Sequence, residues 1–213
     1  MTPTDQTPSF GADESESLWS SVKLFITETL KVVFLSLAII IPVRYFLIQP
    51  FYVKGASMEP TYLDHEYLII DEISYRWRDP VRGEVVVFRP PNNQKQYYIK
   101  RVIGIPGDRV KVTGGRVYLY NEANPAGEKL DEPYLGVPTN GISGEGAVVQ
   151  TYGEVDVVLK DNQFFVLGDH REASLDSRVF GPIDRRTIVG RTWVRGWPVS
   201  RFTVFPVPSG NGL

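Results

Sequence analysis

The chain has 213 residues, a formal net charge of −2, 42% hydrophobic residues and no cysteine. That length supports one domain of ordinary size with room for an appended subdomain. The missing thiol removes disulfides, thiolate metal sites and cysteine nucleophiles, and the balanced charge gives no footprint for nucleic acid. With only two histidines, His65 and His170, and no HExxH run, no metal site or cofactor is expected.

Residues 1–17 are polar and acidic, with Pro3, Pro8 and Gly11 among Asp5, Asp13, Glu14 and Glu16. This composition predicts a disordered tail. A helical pattern begins near Leu18. Leu18, Val22, Ile26 and Val33 fall near one face, and Glu28 and Lys31 are spaced to pair at i, i+3. Residues 32–43, VVFLSLAIIIPV, carry no charge; Arg44 interrupts, and YFLI continues to Ile48. This 17-residue stretch, 32–48, is slightly short of the roughly 20 that a bilayer span needs. Arg44 is placed to snorkel, and Pro42 to kink or end the helix. The segment 18–48 therefore reads as a helix containing a membrane anchor, with a buried core helix as the competing reading. An export signal fits poorly, because its front should be basic and its end rich in small residues. Charge leaves the orientation open: Lys23 and Lys31 flank one side, Arg44 and Lys54 the other.

Beyond Phe51 short runs rich in Val, Ile, Tyr and Phe alternate with Gly, Pro, Asn and Asp: residues 66–70, 83–90, 96–112, 115–122, 147–152, 155–169, 187–197 and 200–205. These predict a mainly β, mostly antiparallel domain over 49–205. Asn121 to Gly146 is rich in Gly and Pro and poor in apolar residues. It reads as long loops of a peripheral subdomain, 113–158. Residues 206–213 form a tail.

Ser57 stands in VKGASMEPT, residues 53–61, directly after the apolar segment. A nucleophilic serine needs a base. His65, in LDHEY, and His170, in GDHRE, come first, but Asp169 is the sequence neighbour of His170 and is badly placed to orient its ring. A lysine is the other option, provided that burial brings its pKa from about 10.4 to near 8. Of eight lysines, Lys100 alone lies inside a strong strand, QYYIKRVIGI. Alternation puts Tyr98, Lys100 and Val102 on one face and Tyr97, Ile99 and Arg101 on the other. Periodicity does not say which face is buried. A third stretch, FFVLGDHREASLDSRVFGPI, residues 164–183, ends an apolar strand at Gly168 and enters a dense polar turn. There Asp176 and Arg178 are spaced to pair, and Ser174 is placed to bond a neutral lysine. A solvated surface loop is the plain alternative.

Together GASMEPT, GEVVVF, YIKRVIGIPGD and VLGDHREASLDSRVFG, in that order, resemble type I signal peptidase, the membrane-bound serine protease that removes signal peptides from exported proteins. The similarity runs from about Phe34 to Phe205. It implies an antiparallel β catalytic domain of signal-peptidase type with a loop-rich β subdomain, preceded by one N-terminal transmembrane helix. It implies that Ser57 is the nucleophile, Lys100 the general base, Ser174 an orienting group, and Asp169, Asp176 and Arg178 supports. It also implies a single anchor with the N-terminus cytoplasmic and the catalytic domain on the outer side. Two departures stand out. Gly55 replaces a serine that adds a hydroxyl to the oxyanion hole in some members, which leaves more to the Ser57 N–H. His170 and Ala173 replace two asparagines.

The expected substrates are preproteins at the bilayer, cut after an Ala-x-Ala type site by a monomer. The segment before the cut is expected to lie extended along strand edges near Phe51–Val53 and Tyr97–Ile99, with Phe51, Val53, Met58, Tyr62, Tyr98 and Ile99 forming two small pockets. Two other readings compete. One is a catalytically silent membrane-tethered β module that binds exported chains. The other is a self-cleaving Ser/Lys repressor, which needs a DNA-binding domain where this chain has an acidic tail and an apolar helix.

Overall fold

A computed structural model describes residues 12–42, 49–135 and 149–208. The chain divides into two compact units, residues 1–45 and 46–213.

The first unit contains one helix, α1 (Ala12–Pro42). It starts inside the segment expected to be a tail. Its described span reaches Pro42. Arg44 and the YFLI run lie outside the described residues. Glu28 and Lys31 pair at 2.8 Å. Trp19, Leu24, Phe25, Leu30, Phe34, Leu35 and Ile40 are all exposed, so apolar surface runs around the whole helix. Such a helix suits lipid rather than water. Trp19–Ile41, 23 residues, is long and apolar enough to cross a membrane.

The second unit is built from antiparallel strands, as the residue pattern predicts. These are β1 (Gln49–Tyr52), β2 (Tyr67–Asp71), β3 (Val85–Phe88), β4 (Tyr98–Gly104), β5 (Arg109–Thr113), β6 (Arg116–Tyr120), β7 (Glu128–Lys129), β8 (Val155–Val158), β9 (Gln163–Leu167), β10 (Ile183–Asp184), β11 (Ile188–Trp197) and β12 (Thr203–Val204). A short helix, α2 (Ser177–Phe180), follows β9. One sheet runs β1-β2-β11-β3-β4-β9-β10, with β12 added to β11; the other runs β7-β6-β5-β8. Two runs read as single strands are divided by turns. The Ile105–Asp108 turn separates β4 from β5, with Gly107 at φ +87° and the Asp108 carboxylate accepting the Ile105 N–H at 2.7 Å. Asn162, at φ +65°, sits in the turn between β8 and β9. The described part of the 147–152 run forms no strand.

Every residue of β3 is buried, so both of its faces are covered. Val86 and Phe88 pack with Val102, Phe164, Val166 and Ile183. Val85 and Val87 pack with Leu68, Ile70, Met58 and Tyr62. A third cluster joins the sheets, with Ile103, Phe165 and Leu167 of the larger against Val110, Val112 and Val117 of the smaller. Glu84, just before β3, is buried. Its carboxylate accepts from the Tyr75 hydroxyl at 2.9 Å, the Val81 N–H at 2.9 Å and both Arg78 amino groups at 3.0 and 2.6 Å. Those donors, with Arg78 as counter-charge, offset its burial.

Two strand edges stay open beside the serine loop. β1 is a terminal strand. β4 pairs with β3 along Tyr98–Arg101 but meets β9 only from Arg101 onward. Val102 directs its N–H and C=O toward the β3 side. By alternation, Ile99 directs its own toward the free side.

Candidate active site

Ser57 lies in the loop between β1 and β2, folded back on itself by local bonds. The Val53 N–H reaches Glu66 O at 2.8 Å, His65 N–H reaches Val53 O at 3.1 Å, and Tyr62 N–H reaches Met58 O at 2.9 Å. Behind it, Glu66 is buried in ion pairs with Arg195 at 2.9 Å and Arg201 at 3.1 Å. Arg195 also donates to the Thr61 carbonyl. Gly55 takes φ +94°, and its N–H donates to the Asp64 carboxylate at 2.8 Å. Among the described residues no acceptor takes the Ser57 N–H.

Lys100 is 3% exposed. Its Nζ stands 2.7 Å from Ser57 Oγ and donates to Ile99 O at 2.9 Å. Tyr98 lies beside it, its ring 5.6 Å from Nζ. The face of β4 carrying Tyr98, Lys100 and Val102 is therefore an enclosed one. Burial lowers the Lys100 pKa to about 8, against the opposite pull of Asp176 and Asp169, and Arg178 adds to the lowering. A buried amine that loses its proton near pH 8 beside a hydroxyl can accept that hydroxyl's proton.

The stretch after β9 supplies the rest. Gly168 N–H donates to Asp176 Oδ2 at 3.0 Å. Asp176 also receives Arg178 Nε and an Arg178 terminal amino group, each at 2.8 Å. Burial alone would raise the Asp176 pKa, but the Arg178 bonds and charge outweigh it and hold the carboxyl below its ordinary value. Asp169 is fully buried and grips Arg101 through two bonds of 2.8 and 2.6 Å, while Thr61 donates to it at 2.6 Å. Ser174 Oγ is buried and takes neither Lys100 bond; it lies close enough to Asp176 to help hold that carboxyl's pKa down. It packs against Gly168, where an added Cβ would stand 2.1 Å from Ser174 Oγ and 2.5 Å from Ser57 O. The His170 N–H donates to Ser57 O at 3.1 Å, and its Nδ1 is 3.2 Å from Ala56 O.

Ser57 and Lys100 open into a cleft of about 510 Å³ lined by Phe51, Val53, Ala56, Leu68, Val87, Tyr98, Ile99, Ala173 and Leu175 among others. Phe51 meets Tyr97 edge to face at 5.2 Å. Four expected pocket residues, Phe51, Val53, Tyr98 and Ile99, line this cleft. Met58 and Tyr62 do not. Both are enclosed in the core, and the Tyr62 hydroxyl bonds Thr192 Oγ1 at 2.6 Å. Sequence reasoning missed Leu68, Val87 and Leu175 as lining, and missed the roles of Arg101 and Arg171. A charged residue inside a strand, as Arg101 is, was the one available signal that a buried partner existed.

Residues 26–197 match the family described as signal peptidase, peptidase S26. The chain is 42% identical over 166 residues to the probable signal peptidase I-2 of Synechocystis sp., covering 76% of this chain and 68% of that one. It is 35% identical over 215 residues to the signal peptidase I of Leptolyngbya laminosa, covering 97% and 96%. Among solved structures, a signal peptidase I of Enterococcus faecalis V583 aligns at 26% identity with a TM-score of 0.43, over 54% of this chain and 97% of that one. With the match spanning most of its length, the chain belongs to the signal peptidase, peptidase S26 family.

Proposed function

We propose that the protein is a membrane-anchored serine endopeptidase that removes signal peptides from exported preproteins, with Ser57 as nucleophile and Lys100 as general base. The observation that carries this is the enclosed amine, its pKa lowered to about 8, 2.7 Å from Ser57 Oγ. Neutral Lys100 takes the Ser57 proton as Oγ attacks the scissile carbonyl, and the Ser57 N–H faces the oxyanion. The resulting ammonium gives its proton to the departing amine. The Lys100 amine then takes a proton from water as that water attacks the ester, and returns it to Ser57 Oγ as the acyl–oxygen bond breaks and the product carboxylate leaves.

The preprotein docks extended against the free edges of β4 and β1, using the backbone groups of Ile99. Its alternate side chains point into the cleft. Small walls built from Phe51, Val53, Ile99 and Ala56 exclude bulky residues one and three positions before the cut, which fits an Ala-x-Ala preference. Asp169, Asp176 and Arg178 fix the loop around Gly168, and Ser174 fills the space against it. In this reading the N-terminus is cytoplasmic, α1 anchors the chain and the β unit works on the outer side as a monomer.

The test is cleavage of a preprotein by the detergent-solubilised protein. Ser57→Ala and Lys100→Ala should each lower turnover by about 10³-fold or more. Near-normal turnover by Lys100→Ala would show that the base lies elsewhere.

A further inference from the structure

Arg171 is the largest fully buried side chain among the described residues. A guanidinium in that position needs a counter-charge and partners for its donors. The counter-charge comes from Glu132, just before the short 3-10 turn Pro133–Leu135 that follows β7, and the other acceptors include Tyr134 and the buried Thr151 hydroxyl. Glu132 takes both terminal amino groups of Arg171, one of them at 3.1 Å. The Tyr134 hydroxyl accepts from Arg171 at 3.2 Å and donates to Glu132 at 2.6 Å. Burial, with Glu132 beside it, raises the Tyr134 pKa well above the ordinary phenol value, which keeps that donor in place. The Tyr134 ring has a second contact: the Arg101 guanidinium stacks on it at 3.9 Å.

One turn thus touches both arginines that flank the chemistry. Arg171 Nε donates to Gly168 O at 2.9 Å, and Gly168 packs without spare room against Ser174 and Ser57 O. Arg101 follows Lys100 in β4 and forks onto Asp169. We propose that Glu132 and Tyr134 are positioning residues for the Ser57–Lys100 site, acting through Arg171 on Gly168 and through Arg101 on Asp169. This rests on the proposed dyad and adds to it a coupling from the small sheet to the nucleophile.

The test uses the full chain in detergent with preprotein cleavage as a function of pH. Glu132→Gln keeps the shape and removes the charge. It should lower kcat at least tenfold with KM within twofold. It should also move the acid limb of kcat to lower pH: Asp176 and Asp169 hold the Lys100 pKa up, Arg178 pulls it down and the Tyr98 ring faces the amine, and an Arg171 relieved of Glu132 offsets more of the Asp169 charge. Glu132→Asp restores the carboxylate and should recover part of kcat and of the limb. Tyr134→Ala should lower kcat by a similar factor. Asp156→Asn, which breaks the exposed pair with Arg109 on the same sheet, gives the comparison for lost stability alone. Unchanged kcat and limb in folded Glu132 and Tyr134 variants would overturn the proposal, as would a loss that Asp156→Asn reproduces at equal loss of Tm. If Glu132→Gln does not fold, Glu132→Asp and Tyr134→Ala decide by the same two readouts. Normal cleavage by Ser57→Ala would overturn the dyad, and this proposal with it. An inactive Ser57→Ala beside fully active Glu132 and Tyr134 variants would overturn this proposal alone.

Discussion

Below about pH 8 the Lys100 amine carries a proton and cannot accept another. The rate should therefore fall tenfold per pH unit on the acid side, with a limb near 8, as a pH profile of kcat with a preprotein would show. The same burial bears on stability. The unfolded chain keeps this proton to about 10.5 and the folded chain only to about 8. Between those values the unfolded state binds more protons, so stability rises with pH. Below about 8 the whole penalty is present, about 3 kcal/mol from the shift. Lys100→Met should recover up to that amount in urea unfolding at pH 7, with the gain shrinking above pH 8 and gone near 10.5. Gly55 poses a different question, since a serine there could supply a hydroxyl to the oxyanion. Its φ of +94° disfavours any side chain, and its N–H is committed to Asp64. Gly55→Ser should cost about 1–2 kcal/mol of stability and leave kcat no higher, which denaturation and turnover measurements check. Ser57 and Lys100 are legible as candidates because one follows an apolar segment and the other interrupts a strand. Which face of β4 is enclosed is not legible, because Tyr98 and Val102 balance Tyr97 and Ile99. The partners of Arg101 and Arg171 are hidden for another reason: they lie 68 and 39 residues away in the chain.

Among the elements, the strands are readable where Val, Ile, Tyr and Phe accumulate and Gly, Asn or Asp closes the run. β1 is missing from the runs that composition marks, because Pro50 sits inside it, although a strand edge is expected near Phe51–Val53. A proline is tolerated there because β1 is a terminal strand whose unpaired side needs no donor. The breaks at Ile105–Asp108 and before β9 escape composition as well, since apolar residues continue on both sides of each turn. β4 carries most of the site: Lys100 on the enclosed face, Arg101 toward Asp169, and Ile99 facing the free side. Ile99→Pro removes one backbone donor from that free side and leaves the β3 pairing intact. It also reshapes the cleft wall that Ile99 forms, so KM should rise by at least the roughly five- to tenfold worth of a single hydrogen bond, with the fold retained by circular dichroism. An unchanged KM would mean that the preprotein does not dock on this edge.

At the scale of the whole molecule, the three apolar clusters that hold the β unit draw all their residues from Phe51 to Phe205. The helix α1 contributes none of them. A fragment beginning at Phe46 should therefore unfold cooperatively and cleave a short peptide with the same pH limb as the full chain. A non-cooperative melt of that fragment would show that the β unit needs the N-terminal segment to fold. The family is legible in the sequence because the stretches that converge on the cleft are short, dense and ordered along the chain. The support from the small sheet is not, because Glu132 and Tyr134 sit in a stretch whose composition resembles surface loop. The free side of β4 has one more consequence. Sliding a bound chain by one residue would turn every side chain to the opposite wall, whereas sliding it by two restores the pattern and delivers a different peptide bond to Ser57. Under the proposed docking, mistakes come in even steps: stray product N-termini should begin two or four positions from the main one, with odd offsets rare.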